Sequence, residues 1–120
     1  MTVGGAARAF AAAAVWRTTG ARSAGRTLIH GLASDDETVR TVAGMLLVQG
    51  GRRALPLLRE AAARREGLPM VLSVLADVGG PEEAPLLHSF TTDPDPDVSA
   101  AARVALEALA VNLDESLDRT

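Results

Sequence analysis

Cysteine, lysine and tyrosine are all missing from this 120-residue chain, and only three side chains, Phe10, Trp16 and Phe90, are aromatic. Without cysteine there is no disulfide, no thiolate metal site and no cysteine nucleophile. Every cationic side chain is arginine. So few aromatics leave no series of rings on which nucleobases stack. Long apolar runs are missing as well. The most apolar N-terminal stretch, Ala9 to Val15, lies between Arg8 and Arg17 and is mostly alanine, too short and too weakly apolar to cross a bilayer. As a secretion signal it lacks a strong hydrophobic centre, although Ala21 and Ala24 are small residues of the kind found near cleavage points. A cytoplasmic protein that does not enter membranes is the expectation.

What the chain does contain is alanine and leucine, which carry most of its 48% hydrophobic content and favour helix. The length suits one domain, residues 1–120, that buries about two thirds of the surface it exposes when unfolded. Charge is unevenly divided. Residues 1–65 hold ten arginines against four acids, whereas residues 66–120 hold two against eleven. Such a dipole bears on partner choice and association rate rather than on fold.

Sliding the chain along itself by 29 residues brings out a repeat. Gly50-Gly51 falls on Gly79-Gly80, and Pro56-Leu57-Leu58 falls on Pro85-Leu86-Leu87, with Leu28-Ile29 in the same two columns one period earlier. Val39, Leu68 and, after a one-residue insertion, Val98 share a column with Phe10. Leu46, Leu75 and Ala105 share another, and Trp16, Met45, Val74 and Val104 form a third that reads as half-buried. Within each unit the apolar residues follow a helical period, and strand-like alternation is not sustained. Ser34 with Glu37 forms a capping box, Asp95 precedes Pro96 at a helix start, and the paired glycines terminate helices. Helices are predicted over 6–19, 23–33, 36–49, 53–65, 68–78, 82–91 and 96–110. None hides its apolar face alone, so antiparallel pairs must stack on neighbouring pairs.

The segments Val39-Arg40, Ala54-Leu55-Pro56-Leu57-Leu58, Gly79-Gly80-Pro81-Glu82-Glu83-Ala84-Pro85-Leu86-Leu87 and Asp93-Pro94-Asp95-Pro96-Asp97-Val98 with Ala101-Ala102 resemble the short HEAT-like repeat of the phycobilisome-lyase type. The resemblance covers about residues 22–110. It implies an all-α fold, a short right-handed α-solenoid of about three HEAT-like helix pairs, with an N-terminal capping helix in 1–21 and a C-terminal tail in 111–120. Deoxyhypusine hydroxylase, which shares this repeat type, holds iron through His-Glu pairs. Here Gly31 follows His30 and Ser89 follows His88, and histidines two repeats apart do not share an ion. No metal and no cofactor is expected, and bilin attachment has no identifiable residues here.

Asp77 and Glu107 fall in equivalent columns, with Ser73 and Arg103 one turn before them, so the four share one groove in this reading. Acid–base hydrolysis there requires a dry pocket that raises one carboxyl pKa, and the sequence supplies no bulky walls for it. No nucleophile motif or phosphate-cradling glycine loop is present. The expectation is therefore a non-enzymatic interaction module, an adaptor or regulatory subunit. Its concave face is assigned to Arg40, Thr41, Met70, Ser73, Asp77, Arg103 and Glu107, suited to a peptide or a partner helix. A basic patch of Arg52, Arg53, Arg59, Arg64 and Arg65 suits carboxylates or phosphates, and an acidic protein partner in particular. The acidic total and the lack of aromatics count against nucleic acid. The basic front and acidic rear halves also allow a homo-oligomer.

Overall fold

The structure, a computed structural model, describes residues 9–12 and 22–118. All regular structure among these residues is helical. Six α-helices follow in order: α1 (Arg22–Leu32), α2 (Glu37–Gly50), α3 (Leu55–Ala63), α4 (Leu68–Val78), α5 (Ala84–Ser89) and α6 (Pro96–Asp118). Short 3-10 turns, Gly51–Ala54 and Pro81–Glu83, lead into α3 and α5. Most of the capping helix expected in residues 1–21, Trp16 included, lies outside the described residues. Of that segment, residues 9–12 are helical, with Ala9 and Ala12 buried and Phe10 51% exposed.

Local chemistry sets the boundaries. Pro56 and Pro85 stand in the first turns of α3 and α5, where a missing N–H costs nothing. The tighter 3-10 geometry occupies the residues just before them, with Leu55 N–H donating to Arg52 O and Ala84 N–H to Pro81 O. Hence the helices expected at 53–65 and 82–91 each divide in two. At α2 the cap is Asp36 rather than Ser34: its Oδ1 accepts from Thr38 N at 2.9 Å and Val39 N at 3.4 Å, while Ser34 Oγ accepts from Asp36 N. A carboxylate is the stronger acceptor, and it also complements the positive helix end. Asp95 caps α6 as expected, accepting from Asp97 N at 2.9 Å.

The C-terminus of α3 closes in a Schellman motif, with Glu66 N–H donating to Ala61 O and Arg65 N–H to Ala62 O. The left-handed position belongs to Arg65, at φ 58°, rather than to the usual glycine. Gly67 follows at φ 54°, and a side chain there would meet the Ala33 backbone. The last helix runs through residues 111–118, which the sequence reading placed in a tail. Its apolar period continues through Leu109 and the partly buried Leu113, and Asn112 Nδ2 donates to Ala76 O at 3.2 Å, capping the neighbouring α4.

Packing partners define two rows. The helices of each consecutive pair, α1 with α2, α3 with α4 and α5 with α6, pack together; α2, α4 and α6 form one row, and α1 packs on α3 in the other. The smallest dimension, 21 Å against 38 and 36 Å, is that of two helix layers. Close approach between α1 and α2 depends on Gly31, where an added Cβ would sit 2.7 Å from Ala43 Cβ. The repeat columns are the core: Val39, Leu68 and Val98 are buried, as are Leu46, Leu75 and Ala105. Phe10 departs from its column by being exposed.

At the centre, α4 contacts both rows and buries Leu68, Val71, Leu72, Val74, Leu75 and Ala76. Leu75→Ala should therefore cost about 2–5 kcal/mol, a large part of the ~5–15 kcal/mol typical of a domain. Chemical denaturation checks this, and a loss below ~1 kcal/mol would contradict the central placement of α4.

Candidate functional site

The exposed side of the α2–α4–α6 row carries a chain of shallow depressions. Between α2 and α4 lies one of about 330 Å³, lined by Thr41, Gly44, Met45, Val48, Gln49, Met70, Ser73, Val74 and Asp77. Between α4 and α6 lies another of about 270 Å³, lined by Pro69, Ser73, Ala76, Asp77, Ala100, Ala101, Val104, Ala105 and Ala108. A third, formed by Glu37, Thr38, Thr41 and Val42, adjoins the first through Thr41. Ser73 and Asp77 belong to the first two depressions and form the ridge between them.

This geometry follows from α4. Five of its large side chains face inward, so the strip left for solvent is Pro69, Met70, Ser73 and Asp77, at helical spacing. The neighbouring row members contribute apolar groups that water still reaches: Met45 is 46% exposed, Val48 38% and Val104 65%. Those exposures correct the third column of the repeat, in which Val74 is buried but Met45 and Val104 are not. Both lie just off the apolar stripe of their helix. That offset was the sequence signal for an exposed apolar face.

Of the residues assigned to the concave face, Thr41, Met70, Ser73 and Asp77 line the depressions. Arg40 is turned away from them and donates through Nη1 to Ser34 O at 2.7 Å. Arg103 and Glu107 are exposed on α6 but are not among the lining residues. The carboxyl of Asp77 is pushed above its ordinary value by desolvation against the depression walls. It has no hydrogen-bond or ion-pair partner among the described residues.

The arginine cluster is arranged differently from an open basic patch. Arg59 reaches Glu83 with Nε at 2.9 Å and Nη2 at 2.5 Å. Glu83 is only 1% exposed, and this fork is what permits a carboxylate there. The close passage of the chain at Gly79 accommodates it, since an added Cβ there would lie 2.6 Å from Leu75 O and overlap the Glu83 side chain. Arg52 binds Glu82 at 2.6 Å, Arg65 binds both oxygens of Asp93 at 2.8 and 3.0 Å, and Arg64 binds Glu60 at 2.8 Å. Upstream, Arg26 contacts Glu60 and Glu66, and His30 stands 3.7 Å from Glu66. Arg53 is exposed at the same end. Arg52, Arg59, Arg64 and Arg65 are thus already engaged by carboxylates.

Arg64–Glu60 lies within one helix, whereas the Arg26, Arg52, Arg59 and Arg65 pairs span 24 to 40 residues, around the 29-residue period, and join one repeat unit to the next. The basic front half and the acidic rear half therefore meet within the chain. Glu83 strengthens the protonated form of Arg59 through its hydrogen bond, and Asp93 does the same for Arg65. Asp93 is held below its ordinary value, first by Arg65 and then by the Asp95 N–H. Glu82 is held low by its own backbone N–H and by Arg52.

Among the described residues no group of three or more His, Asp or Glu is placed to hold a metal ion, and no helix is long and apolar enough to cross a membrane. No family model, curated protein or solved structure matches this chain.

Two pH signatures follow, with opposite signs. Because Asp77 is raised in the folded state, its charge opposes folding, and the penalty grows as pH rises from about 3.9 through the folded value. Asp77→Asn should raise Tm at pH 7 and lose that advantage below about pH 3.9; a lowered Tm at pH 7 would refute the unpartnered carboxylate. For Asp93 and Glu82, depressed in the folded state, stabilisation is complete above the ordinary range near pH 4 and is lost as pH falls through the lowered values. Arg65→Gln should lower Tm at pH 7 and flatten the acid limb of the Tm–pH curve. Parallel acid limbs in variant and parent would show that the Arg65–Asp93 pair is not maintained in solution.

Proposed function

We propose that this chain is a short right-handed α-solenoid of HEAT-like helix pairs, a non-enzymatic interaction module that docks a protein partner on the α2–α4–α6 face. The two-row packing and the buried repeat columns support the solenoid reading. The observation that carries the functional reading is the pair of adjoining apolar depressions, edged by the water-exposed Met45, Val48 and Val104 and divided by Ser73 and Asp77. Depressions this open bury too little of a small molecule to bind it well, whereas they suit side chains projecting from a larger surface. An adaptor or regulatory subunit acting in the cytoplasm is the role we assign. The arginine cluster takes a different part. Its engagement by Glu82, Glu83 and Asp93 supports a role in tying repeats together, in place of recruiting an acidic partner or nucleic acid.

A second reading, hydrolysis with Asp77 and Glu107, draws on the raised Asp77 carboxyl. It lacks a second group beside Asp77, because Glu107 stands outside both depressions. NMR titration of both carboxyls separates the readings, since only coupled titration would favour acid–base work.

Recovered from its native cells, the protein should carry a stoichiometric partner that is lost in the Met45→Asp/Val104→Asp double variant and retained in Arg64→Gln. Both replaced apolar residues are exposed, so Tm should change little. Substrate turnover by the isolated protein, with no partner recovered, would overturn the reading.

A further inference from the structure

The two depressions differ in lining, and the ridge between them is polar. Toward α6 the floor is alanine, supplied by Ala76, Ala101, Ala105 and Ala108, a smooth surface without functional groups. Toward α2 the lining is bulkier, with Met45, Val48, Met70 and Val74. Ser73 and Asp77, four residues apart on one face of α4, have side chains without a hydrogen-bond or ion-pair partner among the described residues. The surrounding charge is also negative. Glu107 and Glu115 are exposed on α6, whose one cation is Arg103, and Arg40 of α2 is committed to Ser34 O. A second copy docked face to face would bring these acids against themselves, so complementarity favours a cation from a different chain.

We propose that the Ser73–Asp77 ridge is a recognition site for a lysine or arginine of a partner helix, whose neighbouring apolar side chains fill the two depressions. The inference rests on the docking reading of this face and adds the partner's chemistry. Packed helices lie about 8–10 Å apart, which puts the depressions about that far from each other. Apolar residues seven positions apart on a helix are separated by about 10 Å, with the residue at i+4 between them. The partner's signature is therefore apolar, basic, apolar at i, i+4 and i+7. The basic residue lies over the ridge and brings its head to the Asp77 carboxylate, with Ser73 Oγ as a second acceptor. Removal of water from around Asp77 strengthens that pairing.

The test uses the full chain and three labelled helical peptides of one host sequence, each with leucine at i and i+7 and with lysine, glutamine or glutamate at i+4. Fluorescence anisotropy should give at least about tenfold tighter binding for the lysine peptide than for the glutamine one, with the glutamate peptide weakest. Asp77→Asn should erase the lysine preference and leave the glutamine peptide unchanged, at an undiminished Tm. A lysine preference that persists in Asp77→Asn overturns the inference, as does the absence of binding by any of the three at millimolar concentration. Met45→Asp with Val104→Asp separates this claim from the one beneath it. Equal affinities for all three peptides, abolished by that double variant, remove the basic preference and leave the docking face standing; affinities that survive it remove both. A concentration-dependent dimer in sedimentation, lost in the same variant, would assign the face to a second copy and also overturn the proposal.

Discussion

Burial of α4 is the constraint on which the rest of the structure depends. This helix contacts its own pair partner, both neighbours in its row and α1, and it encloses Val71, Leu72 and Leu75 almost completely. A helix packed on so many sides has one narrow strip left for water. That strip here is Pro69, Met70, Ser73 and Asp77, and the flanking depressions are the gaps it leaves against α2 and α6. Core and surface thus come from one set of helical positions: the residues that hold the fold fix, by exclusion, which residues face solvent. Asp77, on that strip, has its carboxyl raised above the ordinary value by desolvation, with no partner among the described residues to offset it.

A second set of interactions works at the opposite scale. Apolar contact between repeats is nondirectional, so neighbouring units packed by alanine and leucine alone tolerate some sliding. The bidentate forks from Arg59 to Glu83 and from Arg65 to Asp93 are directional, and they join successive units at defined points. Glu83 carries more weight than the exposed Glu82 because it is enclosed, and an enclosed carboxylate deprived of its arginine is strongly unfavourable. Asp93 serves twice, since Oδ1 also accepts from Asp95 N and shapes the turn ahead of α6. Arg65 adopts a left-handed backbone that glycine would occupy more cheaply. Its side chain supplies the compensation that glycine lacks.

Much of this architecture was legible in the residues. The period-29 register located Leu46, Leu75 and Ala105 at equivalent buried places, and α4 runs over the span its periodicity predicts, Leu68–Val78. What the sequence concealed has physical reasons. Ser34 and Asp36 are both competent caps, and only geometry decides between them. Pro56 and Pro85 mark helix starts but not the 3-10 turns preceding them. No breaker separates Leu109 from Asp118, so the end of α6 is set by packing and by the Asn112 contact with Ala76 O. On the surface, the arginine run read as a free patch because the acids that bind Arg52, Arg59 and Arg65 lie about a full repeat away. Their spacing near the repeat length was the available clue. Ser73 and Asp77 were found by column, whereas Met45 and Val104 were assigned to a half-buried column, and their exposure depends on how far apart the rows sit.

The length of α6 has a consequence of its own. At 1.5 Å per residue its 23 residues extend about 35 Å, close to the full 38 Å edge of the molecule, while α1 to α5 each have 14 residues or fewer. Past Leu113 the described side chains, Asp114 and Glu115, are exposed. Amide protons at those two positions will exchange with solvent faster than those of the enclosed α4, so the helix is a strut anchored at its root.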